Sequence, residues 1–135
     1  MPIKVKISDG CVDVNEWHQE CTTILGREIG GNLSGREEPW RALDLKTQKL
    51  MDWLTATRDN FTWQPDFCRT QYQISSVRSG KPIDAPIMYA ELDVAGSIKI
   101  IDGRHRITAL HELGAATIPV MVPMSQVSLF SITLG

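Results

Sequence analysis

The sequence predicts an α+β fold, a compact single domain with N-terminal helices packed on a small mixed sheet. Three observations carry that expectation. The chain has 135 residues and 42% hydrophobic side chains, enough for one domain with its own core. Apolar residues recur at helical spacing up to about Val77, and from Ile87 onward short β-branched runs take over. Gly80 and Pro82 punctuate the change of regime.

Each element has its own signal. Ile3-Lys4-Val5-Lys6-Ile7 alternates apolar and basic, a half-buried strand ending at the Asp9-Gly10 turn. Asp13 reads as the opening of a helix, with Glu16 completing a capping-box pattern. Val14, Trp17, Cys21 and Ile24 form its stripe, and Gly26 its stop. Gly26 to Gly35 reads as a glycine-rich loop, with no G-K-[ST] to make it a P-loop. Pro39 suits the first turn of a second helix, whose apolar face is Trp40, Leu43, Thr47, Leu50 and Leu54, through about Ala56. Pro65-Asp66 starts a third helix with Phe67, Ile74 and Val77 pointing inward. Strands follow over Ile87 to Leu92 and Ile98 to Ile101, joined by a turn from Asp93 to Ser97. A helix from about Arg104 to Leu113 buries Ile107, Leu110 and Leu113 and is capped by Gly114. Ile118 to Val122 and Val127 to Leu134 complete the sheet as strands.

Charge removes several function classes. Fourteen basic against sixteen acidic side chains leave a net −2, which argues against a broad nucleic-acid coat. No charge falls between Leu113 and Gly135, but Pro119, Pro123 and several Ser and Thr residues break any membrane span. Lys4 and Lys6 precede no apolar h-region, so no secretory signal is visible. Three cysteines, Cys11, Cys21 and Cys68, have no framework spacing, as expected of a reduced cytoplasmic protein. Cys11, His18 and Cys21 lack a fourth zinc ligand.

The chemistry concentrates in Ile100-Ile101-Asp102-Gly103-Arg104-His105-Arg106, a strand running into a helix start. Gly103 permits a tight turn where a side chain would obstruct a ligand. The first helical N–H groups have no intrahelical partner, and the helix dipole favours an anion there. Arg104 and Arg106 add donors suited to phosphate oxygens. His105 is able to donate to a phosphate or move a proton. Asp102 has three available roles: helix cap, proton acceptor or magnesium ligand. The same residues also satisfy a plain turn, with Asp102 as cap and both arginines solvated. Spacing alone leaves both readings open.

The run Ser76-Val77-Arg78-Ser79-Gly80-Lys81-Pro82-Ile83-Asp84-Ala85-Pro86-Ile87, then Asp102-Gly103-Arg104-His105-Arg106, Ala109, Leu113-Gly114 and Ile118-Pro119-Val120, resembles the ParB/sulfiredoxin-like superfamily. The likeness covers about Gln71 to Val122. It implies a ParB/sulfiredoxin-like core over residues 71–135 and a divergent helical part over residues 1–70. It further implies nucleotide binding through Gly103, Arg104, His105 and Arg106, assisted by Ser76 and Arg78. On an enzyme reading of the same residues, Asp102 or His105 would handle the proton and Arg106 stabilise developing charge, with Asp102 the candidate holder of Mg²⁺. The implied cofactor is a nucleoside triphosphate, ATP or CTP. Nucleotide hydrolysis, phosphoryl transfer or phosphodiester cleavage is the implied activity.

The sequence departs from this family in three ways. Arg104 stands where sulfiredoxins carry a cysteine, which removes their redox chemistry. No helix-turn-helix follows the core, which argues against plasmid partition. The N-P-x-x-P-R-like opening box is absent. The alternative is a non-catalytic interaction protein, a plasmid-, phage- or toxin-associated inhibitor or immunity factor, with DNA or protein as partner. An additional catalytic carboxylate would come from Glu37, Glu38, Asp44 or Asp66. Trp17 and Trp40 read as core, and His111 and Glu112 as ordinary helix residues.

Overall fold

Strict alternation builds the first hairpin. β1 (Ile3–Ile7) and β2 (Gly10–Asn15) pair antiparallel across the Ser8-Asp9 turn, with Val5 opposite Val12 and Ile3 opposite Val14. Val5, Ile7, Val12 and Val14 face inward, and Lys4 meets its cross-strand partner Asp13 at 2.6 Å. The structure, a computed structural model, describes residues 3–16, 39–57, 60–91 and 97–135. Asp13 therefore sits mid-strand and caps no helix, because period-two burial of Val12 and Val14 overrides the capping pattern. The remaining expected stripe at Trp17, Cys21 and Ile24 and the loop from Gly26 to Gly35 lie outside the described residues, as do His18, Glu37 and Glu38.

The helix expected from Pro39 divides in two. β3 (Trp40–Lys46) is a strand, and α1 (Thr47–Thr55) is the helix. β3 pairs antiparallel along its whole length with β7 (Thr117–Pro123), from Trp40 opposite Pro123 to Lys46 opposite Thr117. β7 is buried on both faces and needs a neighbour on each side, and that demand outweighs the helical spacing of Trp40 and Leu43. Thr47, Leu50 and Leu54 do form the inward stripe of α1.

α2 (Phe67–Arg78) begins and ends as its punctuation indicates, with Asp66 as N-cap and Gly80 just past the end. Ile74 is buried and Val77 packs on the core, but Phe67 is 75% exposed, in the first turn before the inward face begins. β4 (Ile83–Asp84) pairs parallel with β2, and β5 (Ile87–Glu91) pairs antiparallel with β6 (Ser97–Asp102). The turn expected at Asp93 falls outside the described residues. α3 (Arg104–Glu112) follows at once, with Ile107, Ala109 and Leu110 buried, and packs against both α1 and α2.

After β7 a single 3₁₀ turn, Met124–Gln126, leads into α4 (Val127–Leu134). That last segment was expected as a strand; it is a helix because Val127, Phe130 and Leu134 bring one face onto β3 and β7. Gln126 anchors it: its side chain accepts from Ala90 N at 2.7 Å and donates to Ala90 O at 2.9 Å. β5 aligns with β7 only at Ile87 opposite Met121, and the Gln126 amide serves the backbone groups of β5 beyond that point.

The protein is thus a compact α+β domain with two mixed sheets, ordered β1-β2-β4 and β3-β7-β5-β6. Among the described residues the strands β1, β2 and β3 come before α1, where helices first and sheet second were expected. Among the described residues no helix is long and apolar enough to cross a membrane.

Candidate functional site

β6 ends at Asp102, and Gly103 turns the chain into α3 with φ +115°. A Cβ on Gly103 would lie 2.6 Å from Pro86 Cβ and 2.7 Å from its Cα. The glycine is therefore required by the backbone angle and by Pro86, and the space a side chain would fill belongs to the protein, not to a ligand. Gly103 is itself the N-cap of α3 and brings no capping side chain. Asp102 does not cap the helix; its Oδ2 accepts from Arg106 Nη2 at 3.1 Å.

α2 brings its own N-terminus to the same place. Asp66 caps that helix by accepting from Arg69 N at 2.9 Å, while the Asp66 amide donates to His105 Nε2 at 3.1 Å. His105 thereby joins the first turns of α2 and α3. Trp63 stands edge-on to its ring, 5.4 Å between centroids. With Nε2 accepting, the proton of the neutral imidazole sits on Nδ1. Burial, and then the nearby Arg69 charge, lower the His105 pKa below its usual value; Asp66 opposes the shift and Arg104 adds to it.

Between the two helix starts lies a cavity of about 370 Å³. Asp102, Gly103, Arg104, His105 and Arg106 line one wall, and Cys68, Arg69, Tyr72 and Gln73 of α2 the other. Neither helix carries an acidic residue in its first turn. Each N-terminus presents roughly half a positive charge. Three guanidinium groups add to that field. Those of Arg69 and Arg104 have no hydrogen-bond or ion-pair partner among the described residues. Arg106 is only 16% exposed, and its Nη1 is buried without a partner. A buried guanidinium nitrogen left unpaired is costly.

The expected residues are thus only partly assembled. Asp102, Gly103, Arg104, His105 and Arg106 share the cavity. Ser76 and Arg78 do not line it. Ser76 lies one turn beyond Gln73, and its carbonyl accepts from Lys81 N. Arg78 is exposed in the last turn of α2, about 180° around the helix from Arg69. Arg69, Cys68 and Tyr72 were missed, although Arg69, Tyr72, Gln73 and Ser76 share one face at helical spacing.

Of the additional carboxylates in the described residues, one lies away from the site and one beside it. Asp44 is on β3, the opposite edge of the sheet from β6, and the Asp66 carboxylate is engaged as a helix cap. Among the described residues no group of three or more His, Cys, Asp or Glu side chains is placed to hold a metal ion. His111 Nε2 meets Gln48 Oε1 at 3.1 Å and ties α3 to α1. Trp40 is core, as expected. Comparison with protein-family models, with curated proteins and with solved structures finds no match to this chain.

Proposed function

We propose that the cleft between the first turns of α2 and α3 binds a phosphate-bearing ligand of the nucleotide class. The observation that carries this reading is the convergence of Arg69, Arg104 and Arg106 on one cavity between two helix starts, Arg69 and Arg104 having no partner among the described residues. Phosphate oxygens are the ligand chemistry that fits. Guanidinium forks bind them bidentately, and the first amides of α3, which no side chain caps, add donors at the cavity wall. His105 contributes a donor through Nδ1 while Nε2 holds the helices together. The resemblance of the Asp102 to Arg106 turn to the ParB/sulfiredoxin-like superfamily supports the same reading and names ATP or CTP as the first ligands to try.

Turnover is the second reading, favoured by one observation: the Asp102 side chain is 53% exposed at the cavity wall, within reach of an attacking hydroxyl or water. In it Asp102 takes the proton, and Arg104 and Arg106 stabilise charge developing on the phosphoryl oxygens. Asp102 supplies one carboxylate, which fits a Mg²⁺ ion whose other ligands are water and the phosphates themselves. His105 is a poor base here, because Nε2 is already committed to the Asp66 amide.

A thermal-shift panel of ATP, ADP, CTP, GTP and short DNA, each with and without Mg²⁺, tests the binding reading. A ligand at about 100 times its Kd stabilises by about 2.7 kcal/mol. Arg69→Ala should abolish that shift while the protein stays folded, since Arg69 is exposed. A flat panel removes the reading and leaves a non-catalytic interaction protein. Phosphate release measured on the ligand that binds decides between binding alone and turnover.

A further inference from the structure

A second cavity, of about 260 Å³, opens on the far side of Arg104. Trp53, Phe61, Trp63 and Ile100 supply its walls, and Lys99 and Arg104 are its cations. Two features place it next to the phosphate cleft. Arg104 lines both, and the Trp63 indole that walls one stands edge-on to the His105 ring that walls the other. The cavity lies along β6, the outer strand of its sheet, so its mouth is not covered by a neighbouring strand. Phe61 is 65% exposed there, an aromatic ring available at the cavity.

We infer that this aromatic cavity holds the planar base of the same nucleotide whose phosphate occupies the Arg69–Arg106 cleft. The inference rests on the phosphate reading above and adds a subsite to it. An aromatic ring against Trp and Phe gains stacking and loses apolar exposure, and any base presents the π-face this requires. Of the two cations in this cavity, Arg104 also lines the phosphate cleft and so spans the junction. The pair of cavities falls within the about 300–1,000 Å³ common for small-molecule sites.

Calorimetric titration of the full chain with inorganic phosphate, ribose 5-phosphate, AMP and CMP tests this, with tryptophan fluorescence recorded in parallel. AMP or CMP should bind on the order of tenfold or more tighter than ribose 5-phosphate, and quench the fluorescence. Phe61→Ala, which removes an exposed ring and leaves the core intact, should weaken nucleotide binding by roughly five- to a hundredfold and leave ribose 5-phosphate unchanged. Equal affinity for ribose 5-phosphate and both nucleotides overturns the base subsite and leaves the phosphate reading standing. Loss of both kinds of ligand in Phe61→Ala, or of neither, overturns it as well. Binding of none of the four compounds removes the phosphate reading and this inference together.

Discussion

His105 Nε2 accepts a hydrogen bond from the backbone amide of Asp66, at 3.1 Å across the junction of two helix N-termini. That contact converts a residue expected to move protons into one that sets the width of the cleft. The Asp66 carboxylate caps α2 and its amide is held by α3, so one residue fixes both the start of α2 and its approach to the Asp102–Arg106 turn.

The contact is lost when the ring is protonated, because the imidazolium has no acceptor nitrogen. Burial and the Arg69 charge lower the folded-state pKa below the unfolded value of 6.5. The unfolded chain therefore binds the proton more tightly than the folded one, and stability rises with pH through that interval. The contribution of His105 is complete above about 6.5 and is lost as pH falls through the lowered folded value. We expect the melting temperature of the native protein to fall between about pH 7 and pH 5 more steeply than that of His105→Gln, which keeps an acceptor and does not titrate. Parallel curves for the two proteins would refute this. An NMR titration of the His105 ring should give a midpoint below 6.5.

Asp102 competes with any ligand for Arg106. Its carboxylate holds Nη2 at 3.1 Å and places a negative charge on the cavity wall. Asp102→Asn should therefore tighten binding of inorganic phosphate by about two- to fivefold at low salt, an advantage that shrinks as ionic strength rises. Arg106→Ala should weaken it by about ten- to a hundredfold, the cost of a charged hydrogen bond. Titration calorimetry at two salt concentrations reads both changes. Weaker binding in Asp102→Asn, confined to solutions with Mg²⁺, would instead make Asp102 a metal ligand on the substrate side.

What the sequence discloses here is divided by the range of the forces involved. Asp66, Gly80, Gly103 and Gly114 act on their own backbone neighbourhood, so α2, α3 and the turn between β6 and α3 were legible from local chemistry. β2, β3 and α4 were misread because Val14, Trp40 and Val127 carry apolar spacings that suit either period, and only their partners decide. β7 demands a strand at Trp40–Lys46, and the β1 hairpin demands one at Gly10–Asn15. The site divides in the same way. Gly103 to Arg106 is a contiguous motif, whereas Arg69 and Cys68 reach it only because α3 packs against α2. Asp102 was legible as important but not as the ion-pair partner of Arg106, since its residue type suits a cap, a proton acceptor or a metal ligand equally well at that turn.

The turn itself is the least forgiving part of the site. Gly103 has φ +115°, and a Cβ there would overlap the Pro86 backbone. Pro86 is not free to retreat, since it is buried and its carbonyl accepts from Met121 N at 2.8 Å on β7. Gly80 makes the natural control: its φ is +80°, and a Cβ there meets nothing within 4 Å. Gly80→Ala should cost about 1 kcal/mol, the conformational part alone. Gly103→Ala should cost about 2–4 kcal/mol, the same conformational part plus the overlap. Urea denaturation of both variants reads the difference, which measures how rigidly Pro86 is held. Because Gly103 also aims the first amides of α3, Gly103→Ala should weaken phosphate binding in the fraction that remains folded, whereas Gly80→Ala should leave it unchanged. Equal unfolding costs for the two variants would mean that the strand entry at Pro86 yields, and that the cleft is held by the His105–Asp66 contact alone.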